Sequence, residues 1–355
     1  SVLTNTIMTQ IARRDPRIIM VDIGRSYRRL CESMGGNFIE YDIRSADCCI
    51  NPFDVFTARS ADVEEIQAVI LLLGKMVAEK PGAELTGAER AALEDALQTI
   101  VRAKQGKVFY LHDFRDALQG FGGNRIAQTL AIRLSSYVGV GTYAKLFDGP
   151  TKVPTGARMT VFELAKLRDV APELLPVAFQ TVLQHVVSLA NNYPDDVKVL
   201  AMDEAHVLLD DPEIRKFVQL AYRTFRKLGV AVIGISQGIH DWLLDGSSKG
   251  IIENVSGILA CQMSSKAVEA MVQTFDLSPN ERDNLTQLQM IPGEYSEFMA
   301  IRYTAETRKA TICVNRLSPI EYAMYTMHSE DIALINRWQR DPYLNTLTQA
   351  VERFA

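Results

Sequence analysis

The chain has 355 residues, 47% of them apolar and 23% charged. That composition suits two or three globular domains with a large core, and it excludes a disordered or fibrous protein. A net charge of −5 and a pI near 5.7 exclude a global basic field for nucleic acid, while leaving room for a local basic strip.

The opening SVLTNTIMTQIARR has no initiator methionine and starts inside a helical pattern over about 2–13, which is the look of a piece of something longer. A turn at Asp15-Pro16 leads into a strand in RIIMVDIG, a short helix in SYRRLCESM, and a second strand, NFIEYD at 37–42, after the turn signal Gly35-Gly36. Alternating strand and helix predicts a parallel α/β sheet. From about 54 to 150 strand signals nearly vanish. Ile66, Val69, Ile70, Leu73 and Val77 keep helical spacing, and Thr86 with Glu89 forms a capping box ahead of LTGAERAALEDALQTIVRA. HDFRDALQGF and NRIAQTLAIRLSSYV read as further helices, with GFGG at 120–123 as a loop between them. A helical bundle is therefore expected between sheet strands.

Alternation resumes after Pro154: TVFEL is a strand, and PELLPVAFQTVLQHVVSLANN is a long helix with an apolar face through Leu175, Phe179, Val182, Val186 and Leu189. VKVLAMD is apolar throughout, as for a strand buried on both faces. EIRKFVQLAYRTFRKLG is a helix that Gly229 closes, VAVIGISQ is the next strand, and IIENVSGILACQM holds a short helix and a strand. GEYSEFMAIRY and RKATICVNRL form a late hairpin, and the chain is helical from Ser318 onward. The five cysteines contain no CxxC pair and the five histidines are scattered, so no metal motif is written here and a reducing cytoplasm is expected. The longest clean apolar run, AVILLL at 68–73, is far too short to cross a bilayer, and no signal peptide is visible.

Ligands of open parallel sheets bind beyond the carboxyl ends of the strands. Three predicted strands end there in polar residues: RIIMV in Asp22, VKVLAM in Asp203-Glu204, and AVIGI in Ser236-Gln237. These are parts of a nucleotide hydrolase core. An Asp in that place orders the water shell of Mg²⁺, the adjacent Glu polarises the attacking water, and a polar group on the neighbouring strand senses the terminal phosphate. The plainer alternatives are a strand-to-helix turn for Asp203-Glu204, helix capping for Ser236 and Gln237, and a turn for Asp22 with Gly24. The letters DEAH also occur in a helicase box, but the next strand ends in ISQ where that box's partner reads SAT. No GxxxxGK[ST] phosphate cradle occurs in the chain.

The run from Ser1 through MVDIGRSYRRLCESMGGNFIEYD and INPFD resembles the TraC-like ATPases of conjugative type IV secretion systems. The likeness continues through RLSSYVGVGTYAKLFDG, MTVFELAKL, VLAMDEAHVLL, AYRTFRKLGV, ISQ and VNRLSPIEYAMY, so it covers nearly the whole chain in order. It implies a RecA-like P-loop NTPase core of mainly parallel sheet, with an inserted all-helical domain and C-terminal helices. On this likeness the division is core 1–53, insertion 54–150, core 151–317 and helical tail 318–355. Ser1 is then the last residue of the phosphate loop and a Mg²⁺ ligand, Asp203 the magnesium residue acting through water, Glu204 the catalytic base and Gln237 the phosphate sensor, with ATP and Mg²⁺ as cofactors. Arg223 and Arg226 are candidates for the arginine that completes a neighbour's site in a ring ATPase, against the alternative of a solvated helix face. The family further implies a cytoplasmic, usually hexameric motor docked at the inner-membrane secretion channel and its other ATPases, exporting DNA or protein. Two other functions are weighed beside it: a DNA-pumping translocase like a coupling protein, and a non-hydrolysing assembly scaffold.

Overall fold

The computed structural model describes residues 2–45, 47–56, 63–80, 83–104, 106–243, 249–291, 294–304, 307–326, 328–339 and 347–354. Helix α1 (Val2–Ala12) leads to strand β1 (Arg17–Asp22), helix α2 (Arg28–Ser33) and strand β2 (Asn37–Glu40). Five helices follow with no strand between them among the described residues: α3 (Val63–Val77), α4 (Gly87–Lys104), α5 (Leu111–Gly120), α6 (Arg125–Arg133) and α7 (Ala144–Phe147). Then come β3 (Met159–Glu163), α8 (Ala165–Val170), α9 (Leu175–Asn192), β4 (Lys198–Met202), α10 (Ala205–Leu209), α11 (Pro212–Thr224) and β5 (Val230–Gly234). The late part holds α12 (Lys249–Ile252), β6 (Gly257–Cys261), α13 (Ser265–Phe275), α14 (Pro279–Gln287), β7 (Met290–Ile291), β8 (Tyr295–Tyr303) and β9 (Arg308–Asn315), closed by α15 (Pro319–Tyr325), α16 (Ser329–Gln339) and α17 (Leu347–Phe354).

Strands β1 to β5 form one parallel sheet in the order β2-β3-β1-β4-β5. The three central strands β3, β1 and β4 are buried along their whole length, which is why their inner residues form apolar runs, while the edge strands β2 and β5 are only partly covered. Odd and even positions go to opposite faces. Ile19, Val21, Leu200 and Met202 join the large core shared with α9 and the helical insertion. Ile18, Met20, Val161, Val199 and Ala201 pack instead against Met8 of α1 and Tyr27, Leu30 and Cys31 at α2. The predicted capping box is present: Thr86 Oγ1 accepts from Glu89 N–H at 3.2 Å, and Glu89 Oε2 accepts from Thr86 N–H at 2.9 Å. Among the described residues one segment, Pro172–Asn192, is long and apolar enough to cross a membrane, but 78% of its 18-residue apolar window is buried inside the protein.

The late strands depart from the alternating pattern. Strands β6 to β9 form a separate antiparallel sheet in which β8 pairs with β6, β7 and β9, and its inner face packs on α13 and α14. The β8–β9 hairpin is the one expected; β6, expected as a strand with no sheet assigned, belongs here. The terminal helices return to the first ones. Thr9 Oγ1 and Tyr325 Oη lie 2.7 Å apart, and Arg29 donates to the carbonyls of Ala323 and Thr326.

Candidate nucleotide site

Parity along the strands builds the site. Asp22, Glu163 and Asp203 continue the series Ile18–Met20, Met159–Val161 and Val199–Ala201, so all three carboxylates emerge on the face that carries α1 and α2. Asp22 pairs with Glu163, and the backbone N–H of Asp203 donates to Val21 O at 2.9 Å. Three acids therefore line up across β3, β1 and β4 at the carboxyl edge. Neighbouring parallel strands lie about 4.8 Å apart, so like charges here repel strongly unless protons or donors intervene.

Both remedies are present. Asp22, fully buried, accepts from Gly24 N–H at 2.8 Å and Ser26 N–H at 2.7 Å. Glu163, also fully buried, accepts from Ala165 N–H at 2.7 Å and Arg25 N–H at 2.8 Å. Burial, with Asp22 beside it, pushes the Glu163 carboxyl up to about 8. Burial also raises Asp22, against the pull of the Gly24 and Ser26 N–H groups. A protonated Glu163 thus donates to an ionised Asp22, and the pair carries one charge instead of two. Together they pin the loop between β1 and α2, in which Arg25 sits at φ 57°. Tyr27 leaves that loop into the core and donates its hydroxyl to Asp203 Oδ2 at 2.7 Å. Burial and the Asp203 charge hold the phenol neutral well above its usual range, so it remains a donor.

Asp203 Oδ1 accepts from the N–H of Glu204 at 3.0 Å. Glu204 occupies the left-handed region, φ 48° and ψ 44°, a conformation costly for a residue with a side chain and concentrated at functional turns. The kink is fixed from β5: Ala205 N–H donates to Ile235 O at 2.8 Å, and Ile235 N–H to Met202 O at 2.9 Å. Gln237 reaches back from the end of that strand and its amide lies 3.2 and 3.1 Å from the two Glu204 oxygens. His206 Nδ1 is 3.2 Å from Glu204 Oε2, off the hydrogen-bond direction.

The structure brings Asp203, Glu204 and Gln237 together. Asp22 joins them from below, with both oxygens engaged by its own turn. Ser236 does not present its hydroxyl: it donates to Gly238 O at 3.0 Å and accepts from Trp242 Nε1 at 2.6 Å. Ser1 lies outside the described residues. Arg223 ends α11 and Arg226 lies in the following turn, both exposed. Lys198 pairs with Val230, so α11 returns the chain to the amino edge of the sheet, opposite Glu204. Sequence reading missed Tyr27, Glu163 and His206. The parity of MTVFE with RIIMVD was the available signal for Glu163.

Magnesium suits this donor set. Among the described residues no three acidic, His or Cys side chains converge as direct ligands. Mg²⁺ keeps several waters and takes few protein ligands, and Asp203, 7% exposed at a strand end with one donor on each oxygen, has lone pairs left for bound water.

Comparisons with known proteins bear on the family and the fold. Protein TraC of Escherichia coli K12 is 23% identical over 342 residues, covering 91% of this chain. The chain spans 38% of the length of TraC. VirB4 of Thermoanaerobacter pseudethanolicus superposes with a TM-score of 0.69 at 20% identity, over 90% of this chain and 86% of that structure, which shows the RecA-like fold. The sequence profile of the TraG P-loop domain matches residues 1–355, and the chain belongs to that family.

Proposed function

We propose that the chain is the ATP-hydrolysing part of a type IV secretion motor that drives conjugative pilus assembly and export of DNA or protein. The observation that carries this reading is Glu204, held in a left-handed turn beside Asp203 and gripped through both oxygens by Gln237 from the next strand. A carboxylate so placed orients and deprotonates a water, while the amide that grips it responds to whatever occupies the space beyond the strand ends. Asp203 would hold water of a Mg²⁺ ion, which would offset phosphate charge there. Ser1 would add its hydroxyl to the metal's ligands. The division into a core of 1–53 and 151–317, an insertion of 54–150 and a tail of 318–355 is part of the same reading, as are a hexameric ring and a place at the cytoplasmic side of the inner membrane.

The test is Asp203→Ala in the full-length protein. Export is lost while the protein stays soluble and folded: the buried Tyr27 hydroxyl loses its acceptor, which lowers the melting temperature modestly, but the change also removes a negative charge that bears on Asp22. Loss of soluble protein instead assigns Asp203 a structural role and removes the reading.

Arg223 and Arg226, at the opposite edge of the sheet from Glu204 of their own chain, serve a neighbouring subunit. An arginine supplied across an interface contributes about a thousandfold or more to turnover. An Arg223→Ala/Arg226→Ala protein and a Glu204→Gln protein are each inactive alone, and mixing them restores part of the ATPase rate. Normal turnover by the double-arginine variant alone removes the assignment.

A further inference from the structure

We infer that Tyr27 is the positioning residue for Asp203: a loop pinned to Asp22 and Glu163 delivers its hydroxyl to Asp203 Oδ2 and so fixes the carboxylate plane that faces the metal's water shell. The inference rests on the reading of Asp203 as the magnesium residue, and adds how that residue is aimed.

A carboxylate at a strand end rotates about its terminal torsion, which is broad and two-fold. Asp203 has two fixed donors, one on each oxygen: the Glu204 N–H at 3.0 Å and the Tyr27 hydroxyl at 2.7 Å. The first belongs to the same turn and moves with it. The second comes from 176 residues away and ties Asp203 to another layer of the fold. Tyr27 is itself held by packing. Its ring is fully buried with Met8, Met20, Leu30 and Val161, and Thr4 of α1 lies within hydrogen-bonding reach of its hydroxyl.

The loop ahead of it has three of its N–H groups, those of Gly24, Arg25 and Ser26, fastened to the two buried carboxylates. Such fastening is otherwise hard to account for. Asp22 already ties the Gly24 and Ser26 N–H groups, and Glu163 crosses from β3 to accept from Arg25, which sits in the left-handed region. Two buried acids are a costly way to shape a surface loop. Their cost is understandable where the loop sets the height of Tyr27 against Asp203. The same tyrosine touches α1, the helix that begins right after Ser1. It therefore registers the first turns of α1 against the end of β4, the two elements between which a magnesium nucleotide would be held.

Tyr27→Phe in the full-length protein tests this. The ring and its packing remain and one hydroxyl is lost. Binding of a fluorescent ATP analogue is measured with and without Mg²⁺, well below the melting temperature, for wild type, Tyr27→Phe, Asp203→Asn and the double variant. Losing a hydrogen bond to a charged group raises the Mg²⁺ concentration for half-saturation by about tenfold or more, with metal-free affinity unchanged. In the Asp203→Asn background Tyr27→Phe adds nothing further. An unchanged half-saturation in Tyr27→Phe, whether or not the melting temperature falls, overturns the inference and leaves Tyr27 a core residue. Full additivity of the two changes overturns it as well. Should Asp203→Asn bind magnesium nucleotide like wild type, the reading of the site itself fails, independently of Tyr27.

Discussion

Glu204→Gln in the full-length protein stops ATP turnover while the magnesium nucleotide still binds. A positioned general base contributes about 10²–10⁴-fold to rate, and among the described residues none stands in for it at that position. Gln237 is an amide, and His206 Nδ1 points off the line to Glu204. The change keeps the shape of the side chain and leaves an oxygen for the Gln237 amide, so the turn and its left-handed backbone are preserved. What is lost is the negative charge that accepts a proton from water. Steady-state hydrolysis and nucleotide affinity, measured on the same preparation, separate the two effects. A fall of at least a hundredfold in turnover with affinity held is expected. Normal turnover contradicts the assignment of the base, and loss of both points to a collapsed turn.

The strand ends of this chain were legible because burial forces a pattern. A central parallel strand is apolar throughout, so the first acid after it marks the carboxyl edge; β4 and its Asp203-Glu204 could be read that way. The capping box of Thr86 and Glu89 was legible for the same kind of reason, a local donor count. What could not be read is what depends on the order of strands. Tyr27 meets Asp203 only because β1 and β4 are neighbours, and no spacing in the sequence states that. Glu163 was passed over as the tail of an ordinary strand, although its parity matches that of Asp22. Arg223 and Arg226 were read as lying on the helix after Glu204, which they do or closely follow. Helix α11 carries them to the far edge, and periodicity alone does not reveal direction. Ser236 looked free because its partner, Trp242, comes six residues later, beyond the strand. Likewise β6 resembles the parallel strands in composition, and only its antiparallel partner β8 assigns it to a second sheet.

The shared proton of Asp22 and Glu163 makes stability fall as pH rises, and Glu163→Gln removes much of that fall. Burial pushes the Glu163 carboxyl up to about 8, whereas an unfolded glutamate titrates near 4.3. Between those values the folded protein holds a proton that the unfolded chain has released. The contribution is therefore complete below about pH 4.3 and is lost as pH rises through about 8, with a slope of at most about 1.4 kcal/mol per pH unit for one proton. His185 works the other way at lower pH. Burial pushes it down to about 4, so its contribution is present above the unfolded histidine value near 6.5 and is lost as pH falls through about 4. The two slopes oppose each other below about pH 6.5, and the carboxyl pair is best seen between about 6.5 and 8. In that window denaturant melts of the wild type lose stability with each step of pH. Glutamine at 163 keeps an oxygen for the N–H groups of Arg25 and Ala165, and its amide donates permanently to Asp22. The variant then lies nearest the wild type at about pH 4.3 and exceeds it increasingly toward about pH 8, and its curve flattens. Parallel curves for the two proteins would place the proton elsewhere. The loop that carries Tyr27 would then rest on two full charges, which its three N–H donors would have to balance alone.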